Sequence, residues 1–405
     1  MNTAPGVSAI SGKTVVAIAA GQWHSVALCS DGTVAAWGDN GVGQLGDRTL
    51  WESYAPVAVN TKSGVSALYG KTVVAIAGGY SHNLALCSDG SLAAWGWNPY
   101  GQIGDNGMSG GISHVPAAVN TNSGVSALYG KTVVALAAGY YHSLALCSDG
   151  TVAAWGGNDF GQLGDNTGGQ AADKSLVPVA VSTDTNSALH GKTVVAIAAG
   201  GWHSLALCSD GTVAAWGRND SGQLGNNTTN STLVPATVST DLGVSALYGK
   251  TVVALTAGQS HSVALCSDGA LVAWGANTYG ALGDNSTAQR NAPVLVNTTP
   301  LAASQRFARV CSGPMADHTL ALVAAPPAAP IMLTGAPTFG GRFFSVTFTN
   351  TPGGFFSLLA ATNPALPLSN WTALGGAPEV LPGHFQFSDS LPWGIGKRYY
   401  RVRSP

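Results

Sequence analysis

Ala138-Gly-Tyr-Tyr-His142-Ser-Leu-Ala-Leu-Cys147-Ser-Asp-Gly150-Thr-Val-Ala-Ala-Trp155-Gly is one of several near-copies of a single phrase in this chain. Its histidine recurs as His24, His82, His142, His203, His261 and His318, at intervals of 58, 60, 61, 58 and 57 residues. A fixed period of this size marks stacked supersecondary units, and it sets the architecture before any single residue is weighed. It also supplies internal copies to compare: what every unit keeps serves packing, and what differs is free for something local.

One unit holds four strand candidates, in the first copy Thr14–Ala20, Ser25–Ser30, Thr33–Gly38 and Pro56–Asn60. Ser30-Asp31-Gly32 is a tight-hairpin signal between the second and third, and it recurs at 88–90, 148–150, 209–211 and 267–269. Nothing helical separates the strands, so the unit is an antiparallel meander. Both faces of the early strands are apolar, with Val15, Ala17 and Ala19 alternating with Val16, Ile18 and Ala20, and Val34 and Ala36 with Ala35 and Trp37. A sheet apolar on both sides must be covered on both sides, which radial stacking of blades achieves. Slim Ala-Ala-Gly strands suit the crowded axis. Trp37, Trp95, Trp155, Trp216 and Trp274 suit the widening gap, and the proline-bearing fourth strand suits an outer edge. The expectation is an all-β propeller of five full blades and a partial sixth, which keeps Phe307–Ser312 and His318–Val323 and then loses the hairpin and the Trp-Gly strand.

The full pattern continues through Trp-Gly-x-Asn to Gly-Gln-Leu-Gly at 43–46, 161–164 and 222–225, with variants at 101–104 and 280–283. It resembles the repeat of the regulator of chromosome condensation family over roughly residues 12–323. That family's propeller normally has seven blades, and this chain departs from it: either the ring closes with fewer blades, or the chain is an open arc lacking N-terminal units. Its first residues already match the inter-strand loop near Asn60, so the chain is expected to begin in mid-repeat, as a piece of a longer protein.

Composition narrows the function classes. Charged residues are 9% and the formal net charge is −2, too neutral for a protein that grips nucleic acid through its phosphates. No apolar run of about 18 residues is present to span a membrane. Six cysteines occupy equivalent slots of successive units, too far apart for bridges, and read as small buried hydrophobes. The six histidines read as structural, tying one blade to the next, because neighbouring blades are too distant to share one metal ion. Asp47, Asp105, Asp165 and Asp284 read as turn caps rather than calcium ligands. No catalytic motif stands out, and neither a metal nor a cofactor is expected.

The copies differ most in the two residues before each histidine. Gln22-Trp23, Tyr80-Ser81, Tyr140-Tyr141, Gly201-Trp202 and Gln259-Ser260 leave the innermost strand and should ring one mouth of the axis. Gln22, Trp23, Tyr80, Tyr140, Tyr141, Trp202 and Gln259 are therefore the candidate binding residues; packing of these rings on one another, as a plug, is the competing reading. A second variable position after Trp-Gly adds Tyr100, Phe160 and Tyr279.

Residues 1–323 thus form the propeller, 324–332 a Pro/Ala linker and 333–405 a small C-terminal β-sandwich. The C-terminal run resembles the terminal module of secreted bacterial proteins, particularly verrucomicrobial ones, which implies export and an extracellular or cell-surface setting. The function expected is a non-catalytic scaffold recognising a protein or a glycan. Family resemblance adds two alternatives: a guanine-nucleotide exchange factor-like regulator of a small GTPase, and an inhibitor of a secreted enzyme.

Overall fold

A computed structural model describes residues 6–107, 111–299, 301 and 306–324, and beyond these only strands lying between 332 and 403. The first blade is β1 (Val15–Ala20), β2 (His24–Cys29), β3 (Val34–Gly38) and β4 (Ser53–Ala58). The second is β5 (Val73–Gly78), β6 (His82–Cys87), β7 (Leu92–Asn98) and β8 (Gly111–Ala118). The third is β9 (Val133–Ala138), β10 (His142–Cys147), β11 (Val152–Gly157) and β12 (Lys174–Ala180). The fourth is β13 (Val194–Ala199), β14 (His203–Cys208), β15 (Val213–Gly217) and β16 (Thr232–Thr237). The fifth is β17 (Val252–Ala257), β18 (His261–Cys266), β19 (Leu271–Gly275) and β20 (Arg290–Leu295). Among the described residues a sixth unit has β21 (Arg306–Cys311) and β22 (Leu320–Ala324).

Each full blade is a four-stranded antiparallel sheet whose strands pair in chain order, so the fold is the expected all-β propeller of five full blades and a partial sixth. The fourth strand is the outer edge, and there the expectation needs correction. Pro56 lies within β4 (Ser53–Ala58) rather than opening it. Its position is tolerated because an edge strand needs no ladder N–H on its outer side. Its carbonyl is used instead: Ala9 N donates to Pro56 O at 2.8 Å, as Ala67 does to Pro116 and Ala127 to Pro178.

The core lies between blades, not within them. One cluster joins Leu144, Leu146, Val152 and Leu163 of the third blade to Val194, Ala206, Cys208 and Trp216 of the fourth. The same positions recur at each full joint. Trp95, Trp155, Trp216 and Trp274 are fully buried. At about 25 cal/mol per Å² of apolar surface, burying one such indole contributes several kcal/mol. The cysteines are free thiols; five end the second strand of a full blade and are buried, whereas Cys311, expected in the same slot, instead ends the first strand of the sixth unit and is exposed.

The C-terminal unit spans Ala324–Pro405 together with Leu301–Arg306. Its strands are β23 (Met332–Leu333), β24 (Thr338–Gly340), β25 (Phe343–Thr349), β26 (Ser357–Ala361), β27 (Thr372–Gly376), β28 (Glu379–Leu381), β29 (His384–Ser390) and β30 (Tyr399–Arg403). They form two antiparallel sheets, a five-stranded one centred on β25 and β29 and a three-stranded one ordered β27-β26-β30. The Pro/Ala linker lies largely outside the described residues.

Candidate functional site: the aromatic turns

The turns between the first and second strands are positioned by the joint beneath them. His142 Nε2 lies 3.0 Å from Ser204 Oγ of the next blade. That hydroxyl donates back to Gln162 O at 2.9 Å, and Trp216 Nε1 donates to the same carbonyl at 2.9 Å. Since the serine proton is already committed, the imidazole donates through Nε2, and its neutral tautomer is settled. His82, Ser143, Gln102 and Trp155 repeat this arrangement, as do His203, Ser262, Gln223 and Trp274. At the first joint Asn83 replaces serine, accepting from His24 at 2.8 Å and donating to Gln44 O. At the last, His261 meets Thr319 at 2.8 Å. His318 is exposed and makes no such bond among the described residues.

The glycine three residues before each of the first five histidines has a steric cause. A Cβ on Gly139 would fall 2.1 Å from His142 Cε1, so only glycine admits the ring. The Nδ1 atoms of His24, His82, His142 and His203 are buried without a partner. Burial drives the pKa of His82, His142 and His203 down to about 3 and that of His261 to about 4, so these rings are neutral at ordinary pH. Among the described residues no group of three or more His, Cys, Asp or Glu is placed to hold a metal ion.

Backbone hydrogen bonds then link the turns across the joints, from Gln22 N to Tyr80 O, Tyr140 N to Gly201 O, Gly201 N to Gln259 O and Gln259 N to Ala316 O. On this rigid rim the aromatic side chains of three blades converge. Tyr140 stacks on Tyr80 (centroids 4.1 Å apart) and on Trp202 (4.5 Å). Tyr141 stacks on Tyr100 at 4.6 Å and meets Tyr140 edge-on at 4.4 Å. Trp97 packs edge-on against Tyr141 at 5.4 Å, and Phe160 lies 6.2 Å from Trp202. The Arg218 guanidinium sits 5.1 Å from the Phe160 centroid and 5.2 Å from that of Trp202. All these rings are half-buried, so each packs on its neighbours while offering the rest of its surface to solvent. Desolvation within the cluster raises the Tyr140 and Tyr141 phenols above the usual range.

The structure therefore gathers Tyr80, Tyr140, Tyr141 and Trp202 with Tyr100 and Phe160. It leaves Trp23 and Tyr279 apart, 66% and 81% exposed and outside the cluster. Gln22 and Gln259 take part through their backbones. Sequence reasoning passed over Trp97 and Arg218. Their signal was the position directly after Trp-Gly, which reads Asp39, Trp97, Gly157, Arg218 and Ala276 in successive copies. It also passed over the buried Asn158, whose Oδ1 accepts from Leu163 N at 3.0 Å and whose amide donates to Thr167 O at 3.0 Å. Asn40, Asn98, Asn219 and Asn277 accept the corresponding bond in their own blades and hold each Gly-Gln-Leu-Gly loop in place. Asp165 Oδ1 caps the following turn by accepting from Thr167 N at 3.1 Å.

Blades stacked through a histidine latch, with a rim of variable aromatic turns, define a repeat propeller whose conserved chemistry is structural and whose variable chemistry is presented at one set of turns. The RCC1-like domain model matches residues 2–326, and the chain belongs to that family. It is 33% identical over 285 residues to the human probable E3 ubiquitin-protein ligase HERC6, covering 70% of this chain and 26% of that protein. It is 31% identical over 311 residues to the Arabidopsis thaliana ultraviolet-B receptor UVR8, covering 76% of this chain and 63% of the receptor. The match thus spans less than two thirds of either relative. Among solved structures, human WBSCR16 superposes with a TM-score of 0.62 at 25% identity, over 77% of this chain and 72% of that one.

Proposed function

We propose that this propeller is a non-catalytic recognition scaffold that binds a protein partner through the aromatic turns of blades two to four. The observation that carries the reading is the continuous cluster from Tyr80 through Tyr140 to Trp202, flanked by Tyr100, Tyr141 and Phe160. Amphipathic aromatic side chains held rigid at low entropic cost are the usual anchors of protein interfaces. The cluster is broad and stacked ring on ring, a form that suits an apolar protein surface better than the separated platforms a sugar ring needs. The ligase and receptor activities of HERC6 and UVR8 belong to chains much of which this match does not cover. They are not carried over.

Export to the cell surface is part of this proposal, and its support is the C-terminal resemblance to secreted bacterial modules. Affinity capture from native extract tests the site. Trp202→Ala and Tyr141→Ala are expected to lose the recovered protein while Trp23→Ala keeps it. Equal recovery by all three overturns the assignment, and capture of a glycan instead of a protein moves the ligand class.

A further inference from the structure

A second row of aromatic residues stands at the other ends of the strands. Each full blade pairs antiparallel in chain order, so its second hairpin and the loops joining blades lie opposite the aromatic turns. In those loops Ala-Leu-Tyr-Gly-Lys recurs, carrying Tyr69, Tyr129 and Tyr248, with His190 in the same slot before the fourth blade. Leu68, Leu128 and Leu247, one residue earlier, are buried in the joints. The tyrosine N–H groups donate to Ser66 O, Ser126 O and Ser245 O at 3.2, 3.1 and 3.2 Å, which fixes the backbone alike each time. The rings themselves turn outward and are 58%, 59% and 56% exposed. Packing accounts for the leucine and leaves the repeated, exposed ring without a role.

Each ring has the same polar neighbours. Lys71 pairs with Asp89 in the hairpin of its own blade, and Lys131–Asp149, Lys192–Asp210 and Lys250–Asp268 repeat the pair. Exposed pairs of this kind are weakly held, so their polar atoms stay open to a ligand. The hairpin of the preceding blade closes on the same segment. A Cβ on Gly32 would fall 2.4 Å from Thr72 Cγ2, and Val73 N donates to Gly32 O at 3.3 Å. Gly150, Thr193 and Val194 repeat this between the third and fourth blades. At the first joint the result is a recess of about 300 Å³ whose lining includes Asp31, Thr33, Thr61, Leu68, Tyr69 and Lys71.

We propose that this row is a second binding surface, for a neutral polysaccharide, with each tyrosine a platform for one sugar ring. A pyranose has a face of polarised C–H groups, drawn to the negative face of an aromatic ring, and a rim of hydroxyls that donate and accept. At the first joint Tyr69 supplies the face, Lys71 a donor, Asp31 an acceptor, and Thr33 and Thr61 both. Charge selects the neutral polymer. The paired lysines and aspartates cancel, and the loops beside them add only Lys62 against Asp184 and Asp241. Repetition selects a polymer, because the same group returns at successive joints as it does along a chain of like sugars. Weak single contacts then add through their linkage. The surface is distinct from the aromatic turns, and neither assignment depends on the other.

Affinity gel electrophoresis of the full chain tests this, with starch, mannan, xylan or mixed-linkage β-glucan in the gel and polygalacturonate as the acidic counterpart. At least one neutral polymer is expected to retard the wild type, and polygalacturonate is not. Tyr69→Ala, Tyr129→Ala and Tyr248→Ala should each weaken binding by roughly tenfold as one linked contact is lost. The triple variant should run as in a blank gel, whereas the corresponding Phe variants, which keep the ring face, should still be retarded. His190 Nδ1 is tied to Thr183 O at 2.9 Å; His190→Tyr completes the row and should bind more tightly, a gain that unfolding cannot mimic. Trp202→Ala should leave retardation unchanged. Near-ultraviolet circular dichroism of the buried tryptophans checks the fold of each variant. No retardation by any neutral polymer overturns the proposal, as does retardation by polygalacturonate alone. So does binding that survives the triple variant, gains nothing from His190→Tyr or is lost in Trp202→Ala.

Discussion

Ser204 Oγ accepts from His142 of the preceding blade at 3.0 Å while donating to Gln162 of that same blade at 2.9 Å. One hydroxyl thereby closes a bond in each direction across the joint, in a site sealed from water. Replacing it with alanine leaves an imidazole N–H unpaired and removes one of two donors from the Gln162 carbonyl. Ser204→Ala is expected to cost about 1–3 kcal/mol, read as a lower denaturant midpoint. Ser204→Asn, which copies the natural solution at Asn83, should cost less.

The buried histidines make stability depend on acid. Their pKa falls from the ordinary 6.5 to about 3 in the folded chain for His82, His142 and His203. The unfolded chain therefore binds protons first as pH drops. The stability is fully present above pH 6.5 and is lost as pH falls toward the folded values, at about 1.4 kcal/mol per pH unit for each ring. Paired carboxylates do not mask this, since Asp210, held at about 2 chiefly by its bond from Lys192, stays charged throughout the window. Urea unfolding at pH 7, 5.5 and 4.5 checks it; a flat profile would contradict the assignment of neutral buried rings.

Glycines separate backbone strain from collision. Gly164 has φ of +69° and a Cβ there would lie 2.6 Å from Trp216 Nε1, whereas Gly124 has φ of +71° with nothing within 4 Å. Alanine at either site incurs the left-handed penalty of roughly 1–2 kcal/mol. Only Gly164→Ala also displaces the indole, so its melting temperature should fall markedly further than that of Gly124→Ala.

Thiol chemistry reports the packing of the joints. Of the six cysteines, Cys311 is exposed and the other five are buried. Burial pushes the Cys208 and Cys266 thiols up to about 11, leaving almost no thiolate at neutral pH. Ellman's reagent should titrate one thiol rapidly in the native protein and the remainder only in denaturant.

The blade was readable from the chain because its determinants are local. Alternating apolar residues, Ser-Asp-Gly hairpins and a fixed period specify strands, turns and stacking whatever the partner blade is. The aromatic site was half readable: variation among copies pointed to Tyr80, Tyr140, Tyr141 and Trp202. Trp97 and Arg218 lie at a different position of the unit and reach the same cluster because their backbones bond to the aromatic turn of their own blade, Trp97 N to Ser81 O at 2.8 Å and Arg218 N to Trp202 O at 2.9 Å. Trp23 and Tyr279 looked equivalent by sequence and are not, since both side chains stay mostly exposed and outside the cluster.

Sequence by itself determined the repeat, the strands, the histidine and glycine of each joint and the family they define, because each follows from spacing and residue type along a short stretch. Only the tertiary structure decided which rings meet and which way His24, His82, His142 and His203 donate. Those facts depend on atoms about 60 residues apart in the chain being brought within a few ångströms, and the distance between blades is set by how all their side chains pack together.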